Sequence, residues 1–245
     1  MIEKIAKIAR NCRRCVVLTG AGISAESGVP TFRGKDGLWG KFRAEELATM
    51  DAFLGNPKVV WEWYNWRRQI VGETKPNPGH YALRDMESMF DRFVLVTQNV
   101  DGLHRIAGSE DVLELHGNIN LNKCVDCSQT YPDEADIDPD SVPSCPACGG
   151  QIRPDVVWFG EMLDAQIINR AFEESSKADL FFSIGTSALV HPAASLPTEA
   201  KRSGATLVEI NVEATPLTGL ADFHVAEPSG KYLPRLVEMM ESLAD

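Results

Sequence analysis

Six short apolar runs, rich in β-branched and aromatic residues, constrain the fold of this 245-residue chain more than any other feature. Their apolar residues are continuous rather than alternating, which is typical of strands buried on both faces of a parallel sheet. The runs lie at 16–19, 93–97, 112–115, 180–184, 206–210 and 223–226. Helical patterns lie between or after several of them, at 78–90, 164–176, 191–203 and 231–243. This alternation predicts an α/β fold with a Rossmann-type, doubly wound parallel sheet.

Two stretches break the alternation, and we expect them to form a smaller inserted lobe. Residues 35–77 contain four of the five tryptophans and show helical patterns without a strand, whereas residues 120–153 are rich in Asp, Pro and Cys. The predicted organisation is therefore a helical module at 35–77, a zinc-ribbon module at 120–153, and a discontinuous Rossmann-type domain at 1–34, 78–119 and 154–245. A cleft between two lobes is a common place for a small-molecule site.

Four of the six cysteines predict a metal site with the pattern C-x₂-C-x₁₇-C-x₂-C, and they are Cys124, Cys127, Cys145 and Cys148. This spacing is typical of a zinc ribbon. Four thiolates close a tetrahedron around Zn²⁺ and leave no position for a reacting water, so one structural ion is expected. A redox pair or an iron–sulfur site is the alternative. Cys12 and Cys15 have no second pair nearby and are interpreted as small buried residues.

A glycine-rich loop follows the first apolar run. Gly20 and Gly22 come directly after it, but the next glycine is Gly28, so the spacing is not G-x-G-x-x-G. Glycines at this point let backbone N–H groups approach a pyrophosphate. A nucleotide site and an ordinary tight turn both stay open. Arg33, later in the loop, could neutralise a phosphate or could simply be solvated.

Polar residues follow two other runs at the end where a parallel sheet presents ligand sites. Asn99 and Asp101 come after the second run, and His116 comes after the third. Together they could bind a ribose and a carboxamide and move a proton near neutral pH. A histidine at a strand end is also commonly structural. That interpretation is preferred for three others, His80, His191 and His224, and His104 could serve only to hold its own loop.

Two further loops have the same placement. Gly185, Thr186 and Ser187 follow the fourth run, as a second ligand loop would. Asn211 and Glu213 lie at the tip of the fifth run, where an acidic group suits a ribose hydroxyl. An exposed strand end is the alternative for that tip.

The charge balance bears on partners and location. Lysine and arginine total 24 against 35 aspartates and glutamates, which gives a formal charge of −11. Such a surface repels phosphate backbones and anionic membranes, so neither is expected as a partner. The first ten residues fit an amphipathic helix, and no run approaches the roughly 18 apolar residues that span a bilayer. With its metal-type cysteines, the chain is expected to be cytoplasmic.

Seven segments in sequence order resemble the sirtuins: GAGISAESGVPTFRG at 20–34, TQNVDGLH at 97–104, HG at 116–117, the two CxxC pairs, RPDVVWFGE at 153–161, GTS at 185–187 and INVE at 210–213. Each alone would be weak, but seven in order are highly specific. The resemblance implies an NAD-dependent protein lysine deacylase. Such an enzyme transfers the acyl group to ADP-ribose and releases nicotinamide and O-acyl-ADP-ribose.

The resemblance also implies residue roles. His116 would be the general base, and Asn99 and Asp101 would position the ribose and the carboxamide. The acyl-lysine peptide would add as a strand between 157–160 and 188–190, where Val157 and Phe159 would contact it. Besides the loop glycines Gly20 and Gly22, the implied NAD contacts are Ala21, Arg33, Gln98, Asn99, Asp101, Gly185, Thr186, Ser187, Asn211 and Glu213, with Ser229 near the adenine.

Two departures from many family members concern the acyl group. Thr31 stands where many members have Asp, and Tyr64 and Arg67 are spaced to share one helical face. Both features resemble the class III branch, which removes succinyl, malonyl or glutaryl groups. A guanidinium can bind a distal carboxylate through two hydrogen bonds, and a tyrosine hydroxyl can add another. The alternative is that Arg67 or Arg68 only makes a surface ion pair.

Two other functions stay open. The same site could transfer ADP-ribose to a protein or simply hydrolyse NAD, because both reactions also begin by releasing nicotinamide. The chain could instead be a zinc-ribbon interaction module with a vestigial nucleotide fold. The combination of His116, Asn99 and Asp101 argues against that second function.

Overall fold

The computed structural model describes residues 1–31, 38, 43–132 and 142–243. The strands in these residues are β1 (Arg14–Thr19), β2 (Arg92–Thr97), β3 (Val112–Glu114), β4 (Gly117–Cys124), β5 (Thr130–Pro132), β6 (Ile152–Val156), β7 (Leu180–Ile184), β8 (Thr206–Ile210) and β9 (Phe223–Val225). The helices are α1 (Ile2–Asn11), α2 (Ala21–Ala25), α3 (Ala44–Leu47), α4 (Met50–Gly55), α5 (Pro57–Gly72), α6 (Pro78–Glu87), α7 (Leu103–Ala107), α8 (Ala165–Ser176), α9 (Leu196–Arg202) and α10 (Ser229–Ser242).

The main sheet has the order β3-β2-β1-β7-β8-β9, and every neighbouring pair is parallel. Numbered within the sheet, this is the 3-2-1-4-5-6 order of a Rossmann fold. All six apolar runs form its strands, which confirms the predicted fold class. The strand order reverses between β1 and β7, and ligands of open α/β sheets bind at such a point, beyond the carboxyl ends of the strands.

Both faces of the main sheet are covered by helices. Helices α1, α6 and α10 cover one face around Val17, Leu95 and Phe182. Helices α8 and α9 cover the other face around Val16 and Phe181. Successive strand residues therefore enter opposite cores, and both positions must be apolar. This is why the six runs are continuous.

A second, antiparallel sheet has the order β5-β4-β6 and shares one core with helices α4 and α5. Phe53 and Trp61 from these helices pack with Ile119 and Ile152 from the sheet. The indole Nε1 of Trp61 donates to the carbonyl of Ile152 at 3.2 Å. The Arg68 Nε donates to the carbonyl of Ile119 at 2.7 Å. The two stretches that break the alternation of strands and helices, 35–77 and 120–153, thus share one hydrophobic core.

Helix α5 begins with the favourable combination of an Asn56 cap and Pro57 in its first turn. It presents Trp61, Tyr64 and Arg67 on its buried side. Among the described residues, no helix is both long and apolar enough to cross a membrane.

Candidate active site

A cleft of about 840 Å³ lies between the carboxyl ends of the main-sheet strands and the lobe that contains α5 and the second sheet. The predicted residues that line it are Gly20, Ala21, Gly22, Tyr64, Arg67, Gln98, Asn99, His116, Val157, Phe159, Gly185, Thr186, Ser187, Asn211, Glu213 and Ser229. Asp101 is buried behind the wall rather than on it. Arg33 lies outside the described residues. The structure therefore gathers residues from near the start of the chain, Gly20, to near its end, Ser229.

The glycine loops after β1 and β7 are in direct contact. The Gly22 N–H donates to the carbonyl of Gly185 at 2.9 Å. A Cβ on Gly22 would lie 2.6 Å from the Gly185 Cα, closer than real Cβ atoms approach any atom. Close packing of the two loops therefore requires glycine here, and the Gly22 N–H is directed at the Gly185 carbonyl. Ala21, between the two early glycines, faces the cleft.

Asn99 is held in one orientation by the loop that follows β1. Its Nδ2 donates to the carbonyl of Gly20 and to the Ser24 hydroxyl, both at 3.1 Å. This leaves the side-chain oxygen of Asn99 to accept from a ligand such as a carboxamide.

Asp101 does not line the cleft, so it can influence the cleft only through the residues that it contacts. Its carboxylate accepts from the Leu103 N–H at 2.9 Å and lies near the Ser24 hydroxyl. Burial raises the pKa of Asp101, and the Leu103 N–H and the Ser24 hydroxyl oppose that rise. Ser24 was not among the predicted site residues, although it belongs to the glycine-rich segment. Its role depends on being wholly buried beneath Asn99, which no local pattern reveals.

His116 is oriented by the backbone. Its Nδ1 lies 2.9 Å from the Gln98 carbonyl oxygen, which can only accept, so Nδ1 carries the proton and Nε2 is free to act as a base. Burial lowers the pKa of His116, partly offset by this bond. The next residue, Gly117, has a φ of 78°, and a Cβ there would lie 2.1 Å from the Asp155 carbonyl oxygen. The histidine–glycine pair is therefore a requirement of the backbone.

Tyr64 and Arg67 lie together on the cleft wall, and both are buried. The Tyr64 hydroxyl accepts from the Trp158 Nε1 at 2.8 Å, and the Arg67 guanidinium lies 5.4 Å from the centre of the Tyr64 ring. The Arg67 guanidinium lies 4.9 Å from the centre of the Trp63 ring. Burial lowers the pKa of Arg67, and the nearby Asp101 carboxylate opposes that effect. Burial raises the pKa of Tyr64, which keeps its hydroxyl protonated.

The four paired cysteines converge at the end of the second sheet. Their sulfur atoms all lie within 4.8 Å of one another. The Cys124–Cys148 and Cys127–Cys145 sulfur distances are 3.5 and 3.6 Å. Zn–S bonds of about 2.3 Å in a tetrahedron place sulfurs about 3.8 Å apart, so the cluster fits one structural zinc ion. Such a closed thiolate site takes no part in the chemistry of the cleft.

The comparisons with known proteins agree with this geometry. The model of the Sir2 family matches residues 20–192. An NAD-dependent protein deacylase of Aquifex aeolicus (strain VF5) is 52% identical over 225 residues, which cover 92% of this chain and 94% of that protein. A mutant Sir2 homologue in complex with ADP-ribose matches with a TM-score of 0.96 at 43% identity, covering 100% of this chain and 98% of the other. A Sir2 complex with a p53 peptide and NAD⁺ matches with a TM-score of 0.87 at 32% identity, covering 100% of both chains.

Proposed function

This chain belongs to the Sir2 family and is an NAD-dependent protein deacylase, and we propose that it prefers lysines carrying acidic acyl groups, succinyl or malonyl, over acetyl-lysine. The acyl group passes to ADP-ribose, and nicotinamide and O-acyl-ADP-ribose are released. Protein ADP-ribosylation is not favoured, because the relatives are deacylases and the cleft provides a buried wall suited to an acyl chain.

The observation that carries the acyl preference is the buried cation on the cleft wall. Arg67 is only 7% exposed, yet it lines the cleft beside Tyr64. A buried guanidinium has already lost most of its hydration when the protein folds. Binding a carboxylate there therefore costs less further desolvation than binding one to an exposed arginine. A terminal carboxylate can accept two parallel hydrogen bonds from it. The methyl end of an acetyl group offers no such partner.

Tyr64 supports the same interpretation. Its oxygen already accepts from the Trp158 Nε1, so its own proton remains for a further acceptor. A carboxylate is such an acceptor, and the raised pKa keeps the proton in place at neutral pH. The alternative from the sequence, in which Arg67 or Arg68 only makes a surface ion pair, does not suit Arg67, because its side chain is buried.

The chain's own residues supply binding and proton transfer. NAD, when bound, supplies the ribose carbon from which nicotinamide leaves and the ADP-ribose that takes up the acyl group. We propose that Asn99 orients the carboxamide, that Asp101 acts through Ser24 and Asn99, and that His116 removes a ribose hydroxyl proton with its Nε2. The oriented base is worth about 10²–10⁴ in rate. Ala21, Gln98, Ser187 and the other predicted residues of the main-sheet loops are proposed NAD contacts.

The peptide is proposed to lie across Val157 and Phe159, with the acyl-lysine inserted towards Arg67. Phe159 is 48% exposed at the mouth of the cleft, as a contact for a partner's backbone would be. The Val157 N–H donates to the His116 carbonyl at 2.9 Å, which links this segment to the proposed base. A cytoplasmic location and the lack of a nucleic-acid partner stay predictions.

The test compares acetyl, succinyl and malonyl forms of one peptide with the wild-type protein and Arg67→Met. We expect the variant to lose about 100-fold in kcat/KM on succinyl and malonyl peptides, the range for a charge-assisted bidentate contact, and to change less than about threefold on acetyl peptide. The readout is liberated lysine peptide together with O-acyl-ADP-ribose by mass spectrometry.

Arg68→Met is the matched control. Arg68 holds the second sheet through the Ile119 carbonyl and the Asn122 Oδ1, each at 2.7 Å, and does not line the cleft. Any loss in this variant should be equal for the three acyl groups. Equal losses in Arg67→Met would refute the acyl preference, and absence of O-acyl-ADP-ribose with every peptide would refute deacylation itself.

A further inference from the structure

Glu209 is an ionisable residue within a buried strand, one position before the end of that strand. It lies in β8, between two other strands of the main sheet, and is 1% exposed. A buried carboxylate is costly unless its oxygens accept hydrogen bonds. Its Oε1 accepts from the Thr215 hydroxyl, and its Oε2 accepts from the Thr218 hydroxyl at 2.5 Å. Glu209 therefore connects the strand to a loop that follows it.

The hydroxyl protons of both threonines are committed to Glu209. The Thr215 oxygen already accepts from the Leu217 N–H at 3.0 Å, and the Thr218 oxygen accepts from the Thr215 N–H at 2.8 Å. Each hydroxyl thus accepts from the backbone and donates to the carboxylate. A carboxylate has an acceptor oxygen on each side, and this arrangement uses both of them. A glutamine would direct an NH₂ group at one of the two threonines.

The loop that Glu209 holds is part of the cleft wall. At its start, Asn211 donates from its backbone to the Val225 carbonyl at 3.0 Å and from Nδ2 to the Thr186 carbonyl at 2.7 Å. The residues at 212–214 line the cleft and are exposed, and no backbone hydrogen bond joins them to the described part of the chain. The contact of Glu209 with the two threonines therefore fixes the other end of this segment.

We propose that Glu209 is a positioning residue for NAD, which acts by holding the loop at 211–218 in the shape that presents Asn211 and Glu213 to the cosubstrate. The inference rests on the NAD contacts of Asn211 and Glu213 proposed above. Glu209 itself is not on the cleft wall, so it acts only through the loop. Its loss should weaken NAD binding and leave peptide binding unchanged, because the proposed peptide contacts, Val157 and Phe159, belong to another segment.

The test is Glu209→Gln, measured by steady-state kinetics and by calorimetry with ADP-ribose. We expect the KM for NAD and the Kd for ADP-ribose to rise about tenfold, a typical effect of a lost charge-assisted hydrogen bond. The kcat at saturating NAD and the KM for acyl peptide should stay within about twofold. A role in stability alone would lower the melting temperature without this split between the two substrates.

A second pair of variants tests the same contact away from the cleft wall. Thr218→Val removes the hydroxyl at nearly constant volume, whereas Thr218→Ser keeps it. We expect Val to raise the KM for NAD as Glu209→Gln does, and Ser to restore it to within about twofold of the wild type. This comparison remains informative if Glu209→Gln fails to fold.

Asp222→Asn is the control for general loosening of the connection between β8 and β9. Asp222 accepts from the Leu207 N–H at 2.8 Å and from Lys201, at the end of β8 far from the cleft. This variant should lower the melting temperature and leave the KM for NAD unchanged. An unchanged ADP-ribose Kd in both Glu209→Gln and Thr218→Val overturns the inference. Failure of the wild type to deacylate any peptide would instead overturn the proposed function, because ADP-ribose binding is measured independently.

Discussion

His116 combines a fixed tautomer with an environment that disfavours its charged form. The Gln98 carbonyl holds the proton on Nδ1, so Nε2 is the nitrogen that can act as a base. Burial lowers the pKa of the imidazole from 6.5 because the cation would lose hydration. A base works in its neutral form, so a lowered pKa extends activity towards acidic pH.

The predicted pH profile follows from that sign. We expect kcat/KM for acyl peptide to be flat near neutrality and to fall only below pH 6.5, as His116 becomes protonated. Rates should be measured between about pH 5 and pH 8 with circular dichroism at each point, so that unfolding is recognised. An apparent pKa clearly above 6.5 would contradict this assignment of the base, as would a normal rate of NAD consumption in His116→Ala.

Positions in the cleft could be predicted where a motif places a side chain at the end of a strand. Asn99 and His116 reach the cleft for that reason, because the strands before them are parallel and adjacent. Asp101 lies behind the wall, and Ser24 contacts Asn99 from a distant segment of the chain. Burial of a polar side chain depends on what packs over it, and the local sequence does not contain that information.

The loops after β1 and β7 form one structural element through their glycines. Each loop follows a buried strand, and the strands are neighbours in the sheet. Because Gly22 and Gly185 touch, the shape of one loop determines the shape of the other. Ala21 and Ser187, which line the cleft, are positioned by this contact.

Gly22→Ala tests the loop contact. The added methyl would meet the Gly185 backbone, so the free energy of unfolding should fall by about 1–3 kcal/mol, and the Kd for ADP-ribose should rise at least about tenfold as the loops separate. Urea denaturation and calorimetry measure the two effects. Gly219→Ala is the control, since a Cβ there meets nothing within 4 Å. A Gly22→Ala protein with wild-type stability would show that the loops can separate without cost.

Elements were predictable where the pattern was long and apolar, and less so elsewhere. The six main-sheet strands and helices such as α8 follow their patterns to within a few residues. Strands β4 to β6 were not predicted, because β4 alternates irregularly between buried and exposed residues and β5 has only three residues. Their core is completed by tryptophans of α5, a contact between distant segments.

At the scale of the whole molecule, the cleft has two walls with separate interiors. The main-sheet wall depends on the two cores on either side of that sheet. The wall that carries Tyr64 and Trp158 depends on the third core, which also contains the buried zinc-site residues Cys124 and Cys145. Loss of zinc should therefore disturb the wall that carries Tyr64 and Trp158 far more than the loops of the main-sheet wall. The domain boundaries given by the sequence stay a prediction. Independent behaviour of the two walls would support them.

Cys145→Ser tests that separation. Because small zinc sites contribute much of their own folding free energy, the variant should lose its metal and show a separate unfolding transition at lower temperature. Deacylation should fall about 100-fold or more as Tyr64 and Trp158 lose their support, while ADP-ribose affinity should fall less than about tenfold. Metal analysis, calorimetry and titration measure the three quantities.

Cys12→Ser is the control. Cys12 is outside the four-cysteine cluster, so this variant should keep both zinc and activity. Equal losses of ADP-ribose binding and deacylation in Cys145→Ser would mean that the two walls depend on one another, since the interior around the zinc site would then support the main-sheet loops as well.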